Sequence, residues 1–169
     1  MEVTLRPARI DDVIAIGRLH HRSRRSAYHG IVSPGALDAV SADATAEWWV
    51  ERWSYERDTH RLTVAECQRE LTGFTYLGPH EGGDRLTGEL YAIHIEPSRR
   101  GHGIGTLLLG DAVDAMRAAG RHRGVLWVYR ANRSARRFYE HNGWQPDGIE
   151  RDAWLGPDPV TQLRYGRGL

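Results

Sequence analysis

The most constraining feature of this chain is a loop with glycine at every second position, placed between a predicted strand and a predicted helix. The stretch Leu86–Glu96 predicts a strand that ends before Pro97, and apolar residues at helical spacing predict a helix from Ile104 to Ala119. Between them lies the sequence Arg100-Gly101-His102-Gly103-Ile104-Gly105. Glycines permit positive φ angles, and a helix N-terminus carries about half a positive charge. The pattern therefore predicts a cradle of backbone amides for a pyrophosphate group.

The composition excludes several kinds of phosphate-binding protein. All 23 basic residues are arginines, because the chain contains no lysine. A Walker-type loop places a lysine on the phosphates and Schiff-base enzymes use a lysine amine, so both classes are excluded. A dinucleotide-binding fingerprint requires a glycine where Thr106 stands, which excludes that motif too. The cradle is predicted to bind phosphate through its amides, with Arg100 as an added bidentate donor at its mouth.

Length and charge narrow the class further. The chain has 169 residues without a repeat or linker, so a single domain over residues 1–169 is expected. A net charge of +1 argues against a nucleic-acid or membrane-surface binder, whose affinity depends on a basic face. No apolar run approaches the roughly 20 residues that span a bilayer, and the N-terminal residues lack a secretion signal, so we expect a cytoplasmic protein. A single cysteine, Cys67, excludes an internal disulfide.

Hydrophobic periodicity predicts a mixed α/β fold. The predicted order is strand, two helices, three strands, helix, strand, helix and two strands, which forms a mixed sheet with helices on both faces. Segment 28–35 is predicted to be a loop because it is rich in glycine and proline. The second helix, Asp43 to Ser54, carries three tryptophans that are interpreted as core residues or, alternatively, as the lining of an acceptor pocket: Trp48, Trp49 and Trp53.

Two motifs resemble the GNAT superfamily of acyl-CoA-dependent N-acetyltransferases. The first is Arg100-x-x-Gly103-x-Gly105, which follows the long strand. The second has the family's order of residues with Trp in place of the usual Phe at its end: Asn132, Ala135, Tyr139, Gly143 and Trp144. The resemblance covers nearly the whole chain. It implies one N-acetyltransferase domain with a central mixed, mostly antiparallel sheet of six to seven strands and about four helices on both faces.

The resemblance also implies which residues bind acetyl-CoA, the co-substrate of the family. Backbone groups of Ile93, His94 and Ile95 would bind the pantetheine arm as if it were an added strand. The pyrophosphate would bind Arg100 and the amides of Gly101, His102, Gly103, Ile104, Gly105 and Thr106. Asn132 would donate a hydrogen bond to the cofactor arm.

Two further residues are predicted to be catalytic by the same resemblance. Tyr139 would donate a proton to the departing CoA thiolate, and Glu89 lies before Arg100 at the spacing of the family's general base. An alkyl amine has a pKa of about 10.4 and must lose a proton before it attacks, which a carboxylate acting through water would promote. The amide of Ile95 is a candidate donor to the oxyanion. The alternatives are an aromatic core residue for Tyr139 and a solvated strand residue for Glu89.

The predicted function is transfer of an acetyl group from acetyl-CoA to a primary amine of a small molecule or peptide, by direct attack in a ternary complex. The alternative is a non-catalytic acyl-CoA-binding regulatory module. No metal is predicted, because the nine histidines include no pair at the spacing of a zinc-binding helix. His94 and His102 flank the predicted site without needing a catalytic role. The expected partner is the amine acceptor, with no nucleic acid or membrane, and the chain is expected to be a monomer or a homodimer.

Overall fold

The computed structural model describes residues 2–169 as one sheet of seven strands covered by helices. The strands are β1 (Thr4–Pro7), β2 (Arg61–Cys67), β3 (Glu70–Pro79), β4 (Thr87–Ile95), β5 (Arg123–Tyr129), β6 (Gln145–Leu155) and β7 (Asp158–Gly168). The helices are α1 (Val13–Tyr28), α2 (Pro34–Asp38), α3 (Ala42–Glu56), α4 (Ile104–Ala118) and α5 (Arg133–His141). No helix within residues 2–169 has both the length and the hydropathy that crossing a membrane requires.

The sheet is mixed and mostly antiparallel, as predicted. Its strand order is β1-β2-β3-β4-β5-β7-β6, and β4 and β5 form its parallel pair. A parallel pair needs a crossover connection, and α4 provides it. The glycine loop therefore lies where β4 ends and the crossover helix begins.

Helices cover both faces of the sheet because each has an apolar stripe. On one face, α1 and α3 pack Ile16, Leu19 and Trp49 against side chains of β2 and β3. On the other face, α4 packs Leu109 and Met116 in a second cluster that also contains residues of α5. The predicted arrangement of helices on both faces is confirmed.

Helix α2 begins at the end of segment 28–35, which the sequence predicts to be a loop, and continues beyond it to Asp38. Pro34 occupies the first turn, where its missing N–H costs nothing, and the Ser33 hydroxyl accepts a hydrogen bond from the Ala36 amide at 3.2 Å. The sequence predicts the last two strands at Trp144–Ile149 and Val160–Tyr165. The observed strands β6 and β7 are both longer. Aspartates, prolines and glycines interrupt the alternation there, yet β6 and β7 pair across those residues.

A bulge in β4 opens the sheet at its centre. Leu77 pairs with Leu90 and Tyr76 pairs with Ala92, so Tyr91 is an extra residue in β4. The parallel pairing of β4 with β5 ends at Leu90, and beyond this point the two strands separate. A cleft therefore runs between the second half of β4 and the end of β5.

The bulge also corrects an expectation about side-chain alternation. The sequence places Glu89, Tyr91, Ile93 and Ile95 on one face of the strand. In the structure Tyr91 packs with the cluster under α1 and α3, whereas Ile93 and Ile95 pack with α4 on the opposite face. A single inserted residue reverses the alternation of every residue that follows it.

Candidate active site

The cleft leads into a cavity of about 750 Å³, which is large enough for a small-molecule ligand. Two groups of residues form most of its lining. We call the first the loop wall, which comprises lining residues 99–106 and 132–139. We call the second the helix wall, which comprises lining residues of α1 and α3: His20, Ser23, Arg24, Ser26, Ala27, Tyr28, Trp48, Trp49 and Arg52.

The edge of β4 that faces the cleft presents backbone groups of two predicted residues. The Glu96 amide donates to the Thr72 carbonyl of β3 at 2.9 Å. Since backbone groups alternate in direction along a strand, those of Ile95 and Ile93 point away from β3 and into the cleft. The backbone groups of His94 point towards β3. His94 also lines the cavity, and it does so with its imidazole ring. Binding of an extended pantetheine arm to this edge stays a prediction, with Ile93 and Ile95 as its backbone partners.

The three glycines of the loop are favoured for two different physical reasons. Gly101 and Gly103 have φ angles of 78° and 80°, a region that disfavours any residue with a Cβ. Gly105 has no such angle, but a Cβ there would lie 3.2 Å from Cζ of Phe138. Gly103 immediately precedes α4, so the unpaired amides of the first helical turn open towards the cavity. This geometry fits the predicted cradle.

Two polar residues of the loop have partners that the sequence did not indicate. Arg100 donates to Ser26 Oγ at 3.1 Å and to the Ser23 carbonyl at 3.0 Å, so α1 holds its guanidinium at the cavity wall. Burial lowers the pKa of Arg100. His102 does not line the cavity, and its Nδ1–H donates to the Arg100 carbonyl at 2.9 Å. Contacts of the Arg100 guanidinium and of the His102 backbone amide with pyrophosphate stay predictions.

Helix α5 brings two predicted residues to the cavity. Asn132 caps the helix, because its Oδ1 accepts a hydrogen bond from the Ala135 amide at 3.1 Å. Its side-chain amide has no partner within residues 2–169 and lines the cavity. Tyr139 is 8% exposed, and its hydroxyl likewise has no hydrogen-bond partner in the described chain. Burial raises the pKa of Tyr139, so the phenol stays protonated and can donate.

Glu89 occupies a different environment from the other predicted site residues. It is 2% exposed and lies in the part of β4 before the bulge, where both neighbouring strands still pair with it. Its carboxylate contacts His80 Nδ1 at 2.9 Å and accepts a hydrogen bond from the Glu81 amide at 3.3 Å. Glu89 is not part of the cavity lining. Its role as general base stays a prediction.

Sequence reasoning missed a polar network in the helix wall. His20 Nδ1 accepts a hydrogen bond from Trp49 Nε1 at 2.9 Å, and the ring of His94 lies 4.3 Å from that of His20. His94 Nδ1 lies 3.1 Å from Ser23 Oγ. Burial lowers the pKa of His20 to about 4 and that of His94 well below its usual value, so both rings are neutral at neutral pH. The sequence singles out His94 and Trp49 separately, but no local pattern joins them to His20, because α1, α3 and β4 meet only in the folded chain.

The tryptophans of α3 divide between the two interpretations offered for them. Trp49 is 1% exposed and packs in the core while one side of it lines the cavity, whereas Trp48 is 44% exposed and lines the cavity without being part of the core. The guanidinium of Arg52 lies 5.0 Å from the Trp48 ring, 4.9 Å from the Tyr76 ring and 5.5 Å from the Tyr91 ring. Aromatic rings therefore surround a cation on this side of the cavity.

Sequence comparisons find one family and several relatives. The model of the Acetyltransferase (GNAT) family matches residues 24–144. An uncharacterized N-acetyltransferase of Bacillus subtilis, YuaI, is 28% identical over 89% of this chain and 83% of its own length. A mycothiol acetyltransferase of Beutenbergia cavernae is 41% identical over 39% of this chain, which spans only 22% of that relative.

Structural comparisons find the same fold at low sequence identity. PaiA N-acetyltransferase from Thermoplasma acidophilum, crystallised with coenzyme A, superposes with a TM-score of 0.78, 20% identity and full coverage of both chains. An N-acetyltransferase from Staphylococcus aureus superposes with a TM-score of 0.75, 18% identity and 99% coverage of each chain. These likenesses establish the arrangement of strands and helices around the cleft.

Proposed function

Because the chain belongs to the Acetyltransferase (GNAT) family and is an acetyl-CoA-dependent N-acetyltransferase, we propose that it acetylates a primary amine of a small molecule or peptide by direct attack in a ternary complex. One observation carries the proposal. The glycine loop, the free edge of β4 and the unpaired hydroxyl of Tyr139 all face the same cavity. A cofactor arm and a proton donor would therefore meet in one enclosed space.

The loop wall supports binding of the acyl donor through the backbone. A pyrophosphate would accept hydrogen bonds from the amides at the start of α4, where no Cβ of Gly101 or Gly103 intrudes. The pantetheine arm would lie along the cleft and pair with Ile93 and Ile95. The side-chain amide of Asn132 would donate to the same arm. This arrangement would place the thioester between β4 and Tyr139.

The reaction needs one bond to form, one to break and one proton to move. The amine nitrogen attacks the thioester carbonyl, the carbon–sulfur bond breaks, the amine loses a proton and the thiolate gains one. Tyr139 would supply the proton to sulfur, and the Ile95 amide would stabilise the oxyanion. Glu89 stays the predicted proton acceptor. Water would have to connect it to the amine, because Glu89 lies outside the cavity lining.

The direct test is turnover of acetyl-CoA with a broad panel of amines, measured as release of free CoA thiol and as acetylated product by mass spectrometry. We expect stoichiometric formation of both products with at least one class of amine. Tight binding of acetyl-CoA without acetylation of any amine would favour the regulatory-module alternative instead. The cytoplasmic location and the choice between monomer and homodimer stay predictions.

A further inference from the structure

The charged side chains that line the cavity all have the same sign. Four arginines contribute to it: Arg24, Arg52, Arg99 and Arg100. Among residues 2–169, no aspartate or glutamate lines the cavity. Phosphates of acetyl-CoA account for cations on the loop wall, where Arg99 and Arg100 lie. They do not account for Arg24 and Arg52, which belong to the helix wall.

Arg24 differs from its neighbours on α1 in having no partner. Arg18 pairs with Asp43, Arg22 with Glu96 and Arg25 with Asp38. Arg24 is half-buried in the cavity wall and makes no hydrogen bond or ion pair within the described chain. A partly buried guanidinium without an acceptor loses hydration that nothing in the protein replaces. A ligand that brings an anionic group would replace it.

Arg52 provides a second, partly compensated cation on the same wall. Its Nε donates to Glu56 at 2.7 Å, and Glu56 also accepts a hydrogen bond from the Tyr76 hydroxyl. Glu56 itself stands outside the lining, so the pair holds the guanidinium against Trp48 and Tyr76 without placing a carboxylate in the cavity. The helix wall therefore combines a free cation, a fixed cation and aromatic surface.

We infer that the acceptor is a small amine that also carries a carboxylate, as an amino acid does, and that Arg24 is the residue that selects it. The inference rests on the proposed N-acetyltransferase function. The carboxylate would accept hydrogen bonds from Arg24, which orients the amine towards the thioester. A polyamine would bring a second ammonium group next to Arg24, in a cavity with no lining carboxylate to offset the repulsion. The cavity therefore discriminates between two classes of primary amine.

The test compares acceptors that differ only in the carboxylate. Leucine, leucinamide and isoamylamine form one such set, phenylalanine, phenylalaninamide and phenethylamine form another, and spermidine represents the polyamines. We expect kcat/KM for the amino acid to exceed that for its amide and its decarboxylated amine by at least about 100-fold, because losing the anion leaves the half-buried guanidinium of Arg24 unpaired. Spermidine should be the poorest acceptor.

Variants of α1 assign this preference to one residue. Arg24→Gln should reduce the ratio between amino acid and decarboxylated amine to near unity, while Arg24→Lys should keep most of it. Arg18→Gln removes a cation from the same helix outside the cavity and should leave the ratio unchanged. The thermal shift that acetyl-CoA causes should be equal in all three variants, which separates acceptor selection from folding and cofactor binding.

The possible outcomes distinguish failure of this inference from failure of the proposed function. Equal or faster acetylation of the decarboxylated amines by the wild type would overturn the inference and leave the proposed function intact. An unchanged ratio in Arg24→Gln would remove Arg24 as the selecting residue. No acetylation of any amine, with acetyl-CoA bound, would overturn the proposed function itself. If Arg24→Gln does not fold, the matched acceptors tested on the wild type still decide the substrate class.

Discussion

The two walls of the cavity are built in different ways. In the loop wall, the glycine loop leaves backbone amides at the start of α4 open to the cavity, and the φ angles of 78° and 80° at Gly101 and Gly103 favour glycine there. The helix wall presents side chains such as Arg24 and Arg52, which come from two helices. A surface of backbone amides suits the acyl donor, which is the same for every acceptor. A surface of side chains can instead be matched to one particular acceptor. From this comparison we expect the acyl donor to bind the loop wall and the helix wall to select the amine.

The largest effect is expected from Gly103→Asp on the loop wall. An aspartate immediately before α4 would bond its own carboxylate to the amides that a phosphate needs, and its charge would repel the phosphate. We expect the affinity for acetyl-CoA to fall by about 100-fold or more, measured by calorimetry and by loss of the thermal shift. Gly110→Asp is the matched control, since it adds the same charge further along α4 where a Cβ meets open space. Undiminished binding in Gly103→Asp would show that the loop is not the phosphate site.

Tyr139→Phe tests the predicted proton donor of the loop wall. If the phenol protonates the thiolate, kcat should fall by about 100-fold, the usual size of an acid–base contribution. Stability should not change, because the Tyr139 hydroxyl has no partner to lose in the described chain. Tyr165→Phe should have the opposite effect, lowering stability and leaving kcat unchanged. It loses a hydrogen bond to Glu140 at 2.7 Å, which should lower the free energy of unfolding by about 1–2 kcal/mol without changing kcat.

Glu89→Gln tests whether Glu89, which lies outside the cavity lining, takes part in removing the proton from the amine. As a general base acting through water, Glu89 should give a defect of about tenfold or more near neutral pH that shrinks as pH approaches the amine pKa of about 10.4. The measurement is kcat against pH for the variant and for Glu81→Gln, a neighbouring exposed carboxylate. A defect that is constant across the pH range would assign Glu89 to packing against His80 instead.

The smallest effect is expected from Gly105→Ala. A methyl group there would lie 3.2 Å from Cζ of Phe138, a side chain that can move by the few tenths of an ångström required. We expect a rise of only a few-fold in KM for acetyl-CoA, with kcat unchanged. A loss as large as that of Gly103→Asp would mean that the packing of α4 on α5 matters to the loop wall as much as its backbone angles do.

The second sequence motif combines residues with unrelated physical roles. Asn132 caps α5 and Tyr139 faces the cavity, whereas Gly143 has a φ angle of 82° and Trp144 is fully buried in the core. Their spacing follows from the length of one helix and the turn after it, so the motif can be recognised along the chain. Its local character explains why the sequence predicts this element and the residues that it brings to the site.

The family, the mixed sheet and the glycine loop could be predicted from the sequence by itself, because motif spacing and hydrophobic periodicity are patterns of residues that lie near one another along the chain. Only the tertiary structure decided which side chains line the cavity. The bulge at Tyr91 turned Ile93 and Ile95 to the α4 face of the sheet, and the packing of α1 on β4 brought His20 to His94. It also left Arg24 without a hydrogen-bond or ion-pair partner among residues 2–169. Such contacts join residues far apart in sequence, so no local pattern records them.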